Sequence, residues 1–153
     1  MATESPNFGL LLAPVLGKVE AQSRPRFLAL LERAAADRYR GWAEELPEHG
    51  NVLLACAARE DEIADRIEAS FSIEEAELER LRSLLPHARD LYYAAFDGIS
   101  VLEQIRMQSD AELQGANAWR SVAKGIDDEA ILAQLTRCSE LEELSSSEAR
   151  RIL

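Results

Sequence analysis

Apolar residues recur along this chain at intervals of three and four, with no strand-like alternation. That is the pattern of helices buried through one face. Breaks are few because glycine and proline are scarce, 7 and 5 in 153 residues, so the helices between them are long. Ser23-Arg24-Pro25 predicts a helix start with proline in the first turn, and that helix runs to about Glu45 before Leu46-Pro47. A second helix spans about Asn51 to Ser70, with Asn51 as its cap. Ser72-Ile73-Glu74-Glu75 has capping-box spacing and predicts a short charged helix ending before Pro86, with Glu74 to Arg82 as a solvated face. From His87 to Lys124 no strong breaker intervenes. A straight helix of that length would reach roughly 57 Å, so a kink is expected near Gly98 or between Ser109 and Gly115. Gly125 to Asp128 ends it and caps a last helix that runs from about Asp128 to the C-terminus. The expectation is an all-α fold: a four-helix bundle over residues 23–153, two hairpins joined by one long crossover, behind a short N-terminal extension over residues 1–22 that carries a short apolar helix.

Each predicted helix of the bundle carries one residue that its apolar face does not explain. The first stripe is Leu28, Glu32, Ala35 and Tyr39; the second is Val52, Cys56, Glu60, Ile63 and Ile67. The third is Leu102, Ile105, Ser109, Glu112, Ala116 and Trp119, and the fourth is Ile131, Leu135, Cys138, Glu142, Ser145, Ala149 and Ile152. Every stripe is apolar or small apart from a single glutamate. The halves of the chain also repeat one another: Tyr39 follows Glu32 as Trp119 follows Glu112, and Cys56 precedes Glu60 as Cys138 precedes Glu142. A pseudo-twofold arrangement of the two hairpins would bring the four carboxylates to one level, where dimetal bundles hold their inward ligands.

These glutamates, followed through Tyr39-Arg40-Gly41-Trp42-Ala43-Glu44-Glu45-Leu46-Pro47-Glu48, through Ala94-Ala95-Phe96-Asp97-Gly98 and through Asp127-Asp128, give a chain that resembles the ferritin-like superfamily. More particularly it resembles the cyanobacterial aldehyde-deformylating oxygenases, over roughly Pro25 to Ile152. The resemblance implies a diiron site with Glu32, Glu60, Glu112 and Glu142 at the glutamate ligands. The two histidine ligands of that family fall on Ile63 and Ser145. Glu143 with Ser146 competes for the place of Glu142 with Ser145. The only histidines, His49 and His87, fall in a connection and beside Pro86.

Losing imidazole changes the chemistry, since carboxylates alone suit harder cations held by oxygen. The expectation is no cofactor, with Fe or Mn held by the four glutamates as the alternative. Without metal, converging carboxylates should be protonated or paired, and Arg59, Arg106 and Arg120 are candidate partners. Cys56 and Cys138 are expected to be buried hydrophobes. A charge balance of 17 basic against 28 acidic residues argues against nucleic acid. The longest uncharged apolar stretch, Phe8 to Gly17, is too short to span a bilayer. Two cysteines and an N-terminus without a basic lead-in suggest a cytoplasmic location. No phosphate loop or nucleophile set appears. Three functions remain open: a non-catalytic binding or interaction module, with an apolar ligand implied by the resemblance; a divergent dimetal oxidoreductase; and a structural bundle or homodimerisation domain.

Overall fold

The computed structural model describes residues 3–153, and among these it contains six α-helices and no strand. They are α1 (Phe8–Leu16), α2 (Arg24–Glu45), α3 (Gly50–Ser70), α4 (Glu75–Ala94), α5 (Val101–Ala123) and α6 (Glu129–Arg150). Pro25 lies in the first turn of α2, where its missing N–H costs no helical bond. Asp128 caps α6 by accepting from the amides of Ala130 and Ile131. The chain turns between α4 and α5 at Gly98, whose φ of +77° lies in the left-handed region that glycine occupies without strain.

Four expectations about the middle of the chain are corrected. The crossover helix does not stop before Pro86; it continues through it to Ala94, because His87 to Ala94 still buries Ala88 and Tyr92 against the core. The helix is also entered at Glu75 without a side-chain cap, so Ser72 does not cap it, and α3 starts at Gly50 rather than at an Asn51 cap. The single kinked helix expected from His87 to Lys124 is two helices instead: the chain breaks at Gly98, where it turns from α4 into α5, and α5 is uninterrupted from Val101 to Ala123.

Packing follows connectivity. α2 lies against α3 and α5 against α6, each pair joined by a short connection, and the hairpins meet mainly through α3 and α6. The backbones of α2 and α5 stand apart and are bridged by side chains, Trp42 and Arg38 both donating to Gln104; α4 packs on α2, and α1 packs on α4. The buried apolar residues form two groups, one holding Phe27, Tyr39, Trp42, Cys56 and Phe96, the other Ile63, Ile67, Trp119, Leu135 and Cys138. Along α3 the boundary between them falls between Cys56 and Ile63, where Glu60 stands. Leu102, assigned to the inward stripe of α5, is instead exposed.

The N-terminal segment is stitched to the outside of α5. The Thr3 amide donates to Glu103 (3.2 Å), Arg106 donates to the Thr3 carbonyl, and the Ser5 hydroxyl donates to Asp110. Gln114 holds two backbone groups at once: it accepts from the Phe8 amide at 2.8 Å and donates to the Pro6 carbonyl at 3.0 Å. From there Phe8, Leu12, Val15 and Val19 enter the first apolar group, with the Phe8 ring 5.8 Å from that of Tyr92. No helix is long and apolar enough to cross a membrane among the described residues.

Candidate functional site

Glu60, Glu112 and Glu142 are each at most 1% exposed, and Glu32 is partly buried. Oxygens of Glu32, Glu60 and Glu142 lie within 4.8 Å of one another, contributed by three different helices. Glu112 stands beside this trio with donors of its own: the Tyr39 hydroxyl at 2.6 Å and the Gln108 amide at 2.8 Å both reach its Oε1. Gln108 in turn accepts from the Tyr92 hydroxyl. Trp119 Nε1 donates to Glu142 at 3.2 Å. Neither carboxyl oxygen of Glu60 meets a donor among the described residues.

The inward residue on α6 is Glu142. Glu143 is exposed and paired with Arg120, while Ser146 donates to the Ser109 carbonyl at 2.7 Å. The candidate arginine partners all point elsewhere: Arg59 to Glu148 and Ser145, Arg106 to Glu103 and Asp110, and Arg120 to Glu143. A partly exposed arginine gains more from a surface carboxylate that it can reach with its charge still hydrated. His49 lies in the 3₁₀ turn before α3 and His87 is exposed on α4, so neither joins the glutamate cluster.

The pseudo-twofold is visible in the contacts. The Cys56 thiol points at the Ser145 carbonyl (3.9 Å) and the Cys138 thiol at the Ile63 carbonyl (4.0 Å), so each cysteine faces the position three residues after the opposite glutamate. Burial pushes the Cys56 thiol up to about 11 and the Cys138 thiol up to about 12, as expected of inert core residues. The symmetry fails at the aromatic pair. Tyr39 bonds Glu112 across the hairpins, whereas Trp119 bonds Glu142 within its own.

Electrostatics follow from dry surroundings. Burial, and then the charges of Glu112, Glu142 and Glu32, hold the Glu60 carboxyl well above the usual carboxylate range. Burial and then Glu32 and Glu112 do the same to Glu142, and burial, with the Glu112 charge adding to it, raises Glu32. The cluster therefore holds protons that an exposed set of glutamates would release, and a carboxyl that keeps its proton can donate to its neighbour. Tyr39 is held well above its ordinary value, first by burial and then by the Glu112 charge, and so acts as a neutral donor. Tyr39→Phe is expected to cost about 1.5–3 kcal/mol, the range for a hydrogen bond to a charged group. An unchanged urea midpoint would show that the bond contributes nothing.

Over the carboxyl groups lies a cavity of about 500 Å³ that reaches all four glutamates. It occupies the gap between α2 and α5, and α1 covers it with Phe8, Leu12 and Leu16. Its α5 wall is made of Ala111, Gly115 and Ala118, small residues on one face. Gly115 leaves room for the Glu142 carboxyl, since a Cβ there would stand 2.6 Å from Glu142 Oε1 and the carboxyl would have to shift. Nothing on the apolar stripes announced this cavity. The signal was the run of small residues on α5, one step around from Glu112 and Trp119.

Comparison with protein-family models, with curated proteins and with solved structures finds no match to this chain.

Proposed function

We propose that the chain is a ferritin-like four-helix bundle that has given up histidine-ligated diiron chemistry and uses the space above its glutamate cluster to bind a small neutral apolar ligand. The observation that carries this reading is the 500 Å³ cavity, walled by Leu12, Leu16, Leu28, Leu31 and Ala118 and floored by carboxyl groups. Such a floor repels a carboxylate head group. It favours a carbonyl or hydroxyl, which can accept a hydrogen bond from a protonated glutamic acid. The donor set does not fit a histidine-ligated diiron centre, since Ile63 offers no ligand atom and Ser145 only a hydroxyl that accepts from Arg59 at 3.4 Å.

One observation favours a second reading. Both oxygens of Glu60 are buried without a donor, and the trio it forms with Glu32 and Glu142 is an oxygen-only set suited to a hard divalent cation such as Mn(II). A divergent Fe or Mn oxidoreductase would be built on it. The two readings separate in one preparation, in which solvent extracts of purified protein are analysed by mass spectrometry and the desalted protein is assayed for metal after incubation with Mn(II) and Fe(II). A stoichiometric neutral apolar compound without retained metal is the expected result. Metal retained near one or two ions per chain, and lost in Glu60→Gln, would replace the first reading with the second.

A further inference from the structure

We infer that the N-terminal segment from Thr3 to Leu16 is a lid, latched to α5 and packed on α4, that gates access to the cavity between α2 and α5. The inference rests on the binding reading above and adds how that site is opened.

Three features support a lid rather than a fixed wall. The stretch ahead of α1 is held by polar contacts, while α1 itself docks through three side chains, Phe8, Leu12 and Val15. Glu103, Arg106, Asp110 and Gln114 form one row on the outer face of α5, and each holds a group of Thr3, Ser5, Pro6 or Phe8. Exposed or half-exposed polar contacts of this kind exchange for water at little net cost, so they release far more readily than apolar packing. The helix behind them is also weak. α1 has nine residues, carries Pro14 inside, and exposes Leu10 at 74% of its surface. A helix this short holds its shape through docking rather than through its own hydrogen bonds. Finally, the cavity rim is polar where the latch meets it: Asn7, Gln114 and Asn117 line that edge, while the walls beneath are apolar. Lifting α1 would break its packing on α4, where Phe8 meets Tyr92 and Phe96, and would uncover Leu28, Leu31 and the glutamates while leaving the contacts of α2 with α3 and of α5 with α6 in place.

Two measurements on the full chain test this: amide hydrogen exchange of α1 against α3, and stopped-flow association of the neutral apolar dye Nile red. Gln114→Ala removes two hydrogen bonds from the latch, so α1 amides should exchange roughly tenfold faster while α3 amides keep their rate. Dye association should accelerate by a similar factor. Asp110→Ala, which removes the Ser5 contact together with the pairs to Arg106 and Arg150, should raise the association rate in the same direction and leave the dye's equilibrium affinity within about twofold, since Asp110 itself lines no part of the cavity. Acceleration of α1 and α3 amides together, or of neither, would overturn the lid. Dye that binds all three proteins at one rate would overturn the gate alone. Dye that binds none of them would overturn the binding reading and the gate with it.

Discussion

Glu60→Gln is expected to stabilise the protein, by a margin that widens as pH rises. In the native chain the Glu60 side chain is fully buried, has no donor and faces Glu32, Glu112 and Glu142. Its folded pKa, like that of Glu142, is raised well above the ordinary value, so the folded cluster keeps protons that the unfolded chain releases above about pH 4.3. The sign follows from linkage. Where the folded state binds more protons, stability falls with rising pH, by about 1.4 kcal/mol per pH unit for each proton retained. The favourable state is therefore fully present below the unfolded pKa and is lost as pH climbs towards the raised folded values. The three carboxyls titrate as one coupled group, so the slope belongs to the cluster and not to Glu60 alone. Glutamine keeps the shape, carries no charge, and offers Glu32 a permanent donor. At about pH 5 the variant should lie close to the native protein, and its advantage should widen with pH by about 1.4 kcal/mol for each pH unit over which the folded cluster keeps the extra proton. Urea unfolding in the presence of a chelator at about pH 5 and about pH 8 measures this. A variant that loses stability at the higher pH would mean that something other than a proton balances Glu60. Recovery of the native protein's advantage on adding Mn(II) would identify that as a cation.

Such a prediction was within reach of the sequence because four glutamates interrupt four otherwise apolar stripes, and a helical period is enough to place Glu60 and Glu142 inside. The repeat of Cys56 and Glu60 in Cys138 and Glu142 was also legible, and in the fold each thiol faces the position three residues after the opposite glutamate. What failed was local punctuation. Pro86 reads as a helix end, but a proline in mid-helix costs only about one hydrogen bond and some strain, which the burial of Ala88 and Tyr92 beyond it offsets. Ser72 reads as a capping-box residue, yet the chain enters α4 at Glu75 with no side-chain cap. The cavity and the N-terminal strap were hidden for another reason. Glu103, Arg106, Asp110 and Gln114 look like an ordinary solvated face, and only the folded chain shows that their solvent side is taken by Thr3 to Phe8. Ala111, Gly115 and Ala118 look like close helix packing; in the fold they face a space because α2 and α5 do not close on one another.

That space can be filled by a single substitution. Ala118 lines the cavity, is partly buried, and belongs to neither of the two apolar groups that make up the core. Ala118→Phe should therefore put its ring into existing free volume instead of forcing packed side chains apart, the usual source of overpacking strain. Its stability should stay within about 1 kcal/mol of the native protein, or rise slightly as the ring takes up contacts the cavity lacks. A bound apolar ligand would meet the ring directly. If the ring denies it about 100 Å² of buried surface, the loss at roughly 25 cal/mol per Å² is about 2.5 kcal/mol. That corresponds to close to two orders of magnitude in Kd. Equilibrium titration with Nile red, beside a urea curve for the same sample, separates blocked binding from damaged folding. A variant as stable as the native protein that binds dye a hundredfold more weakly places the ligand between α2 and α5. A variant that binds with native affinity would place it elsewhere, and the glutamates would then be left with the cation reading alone.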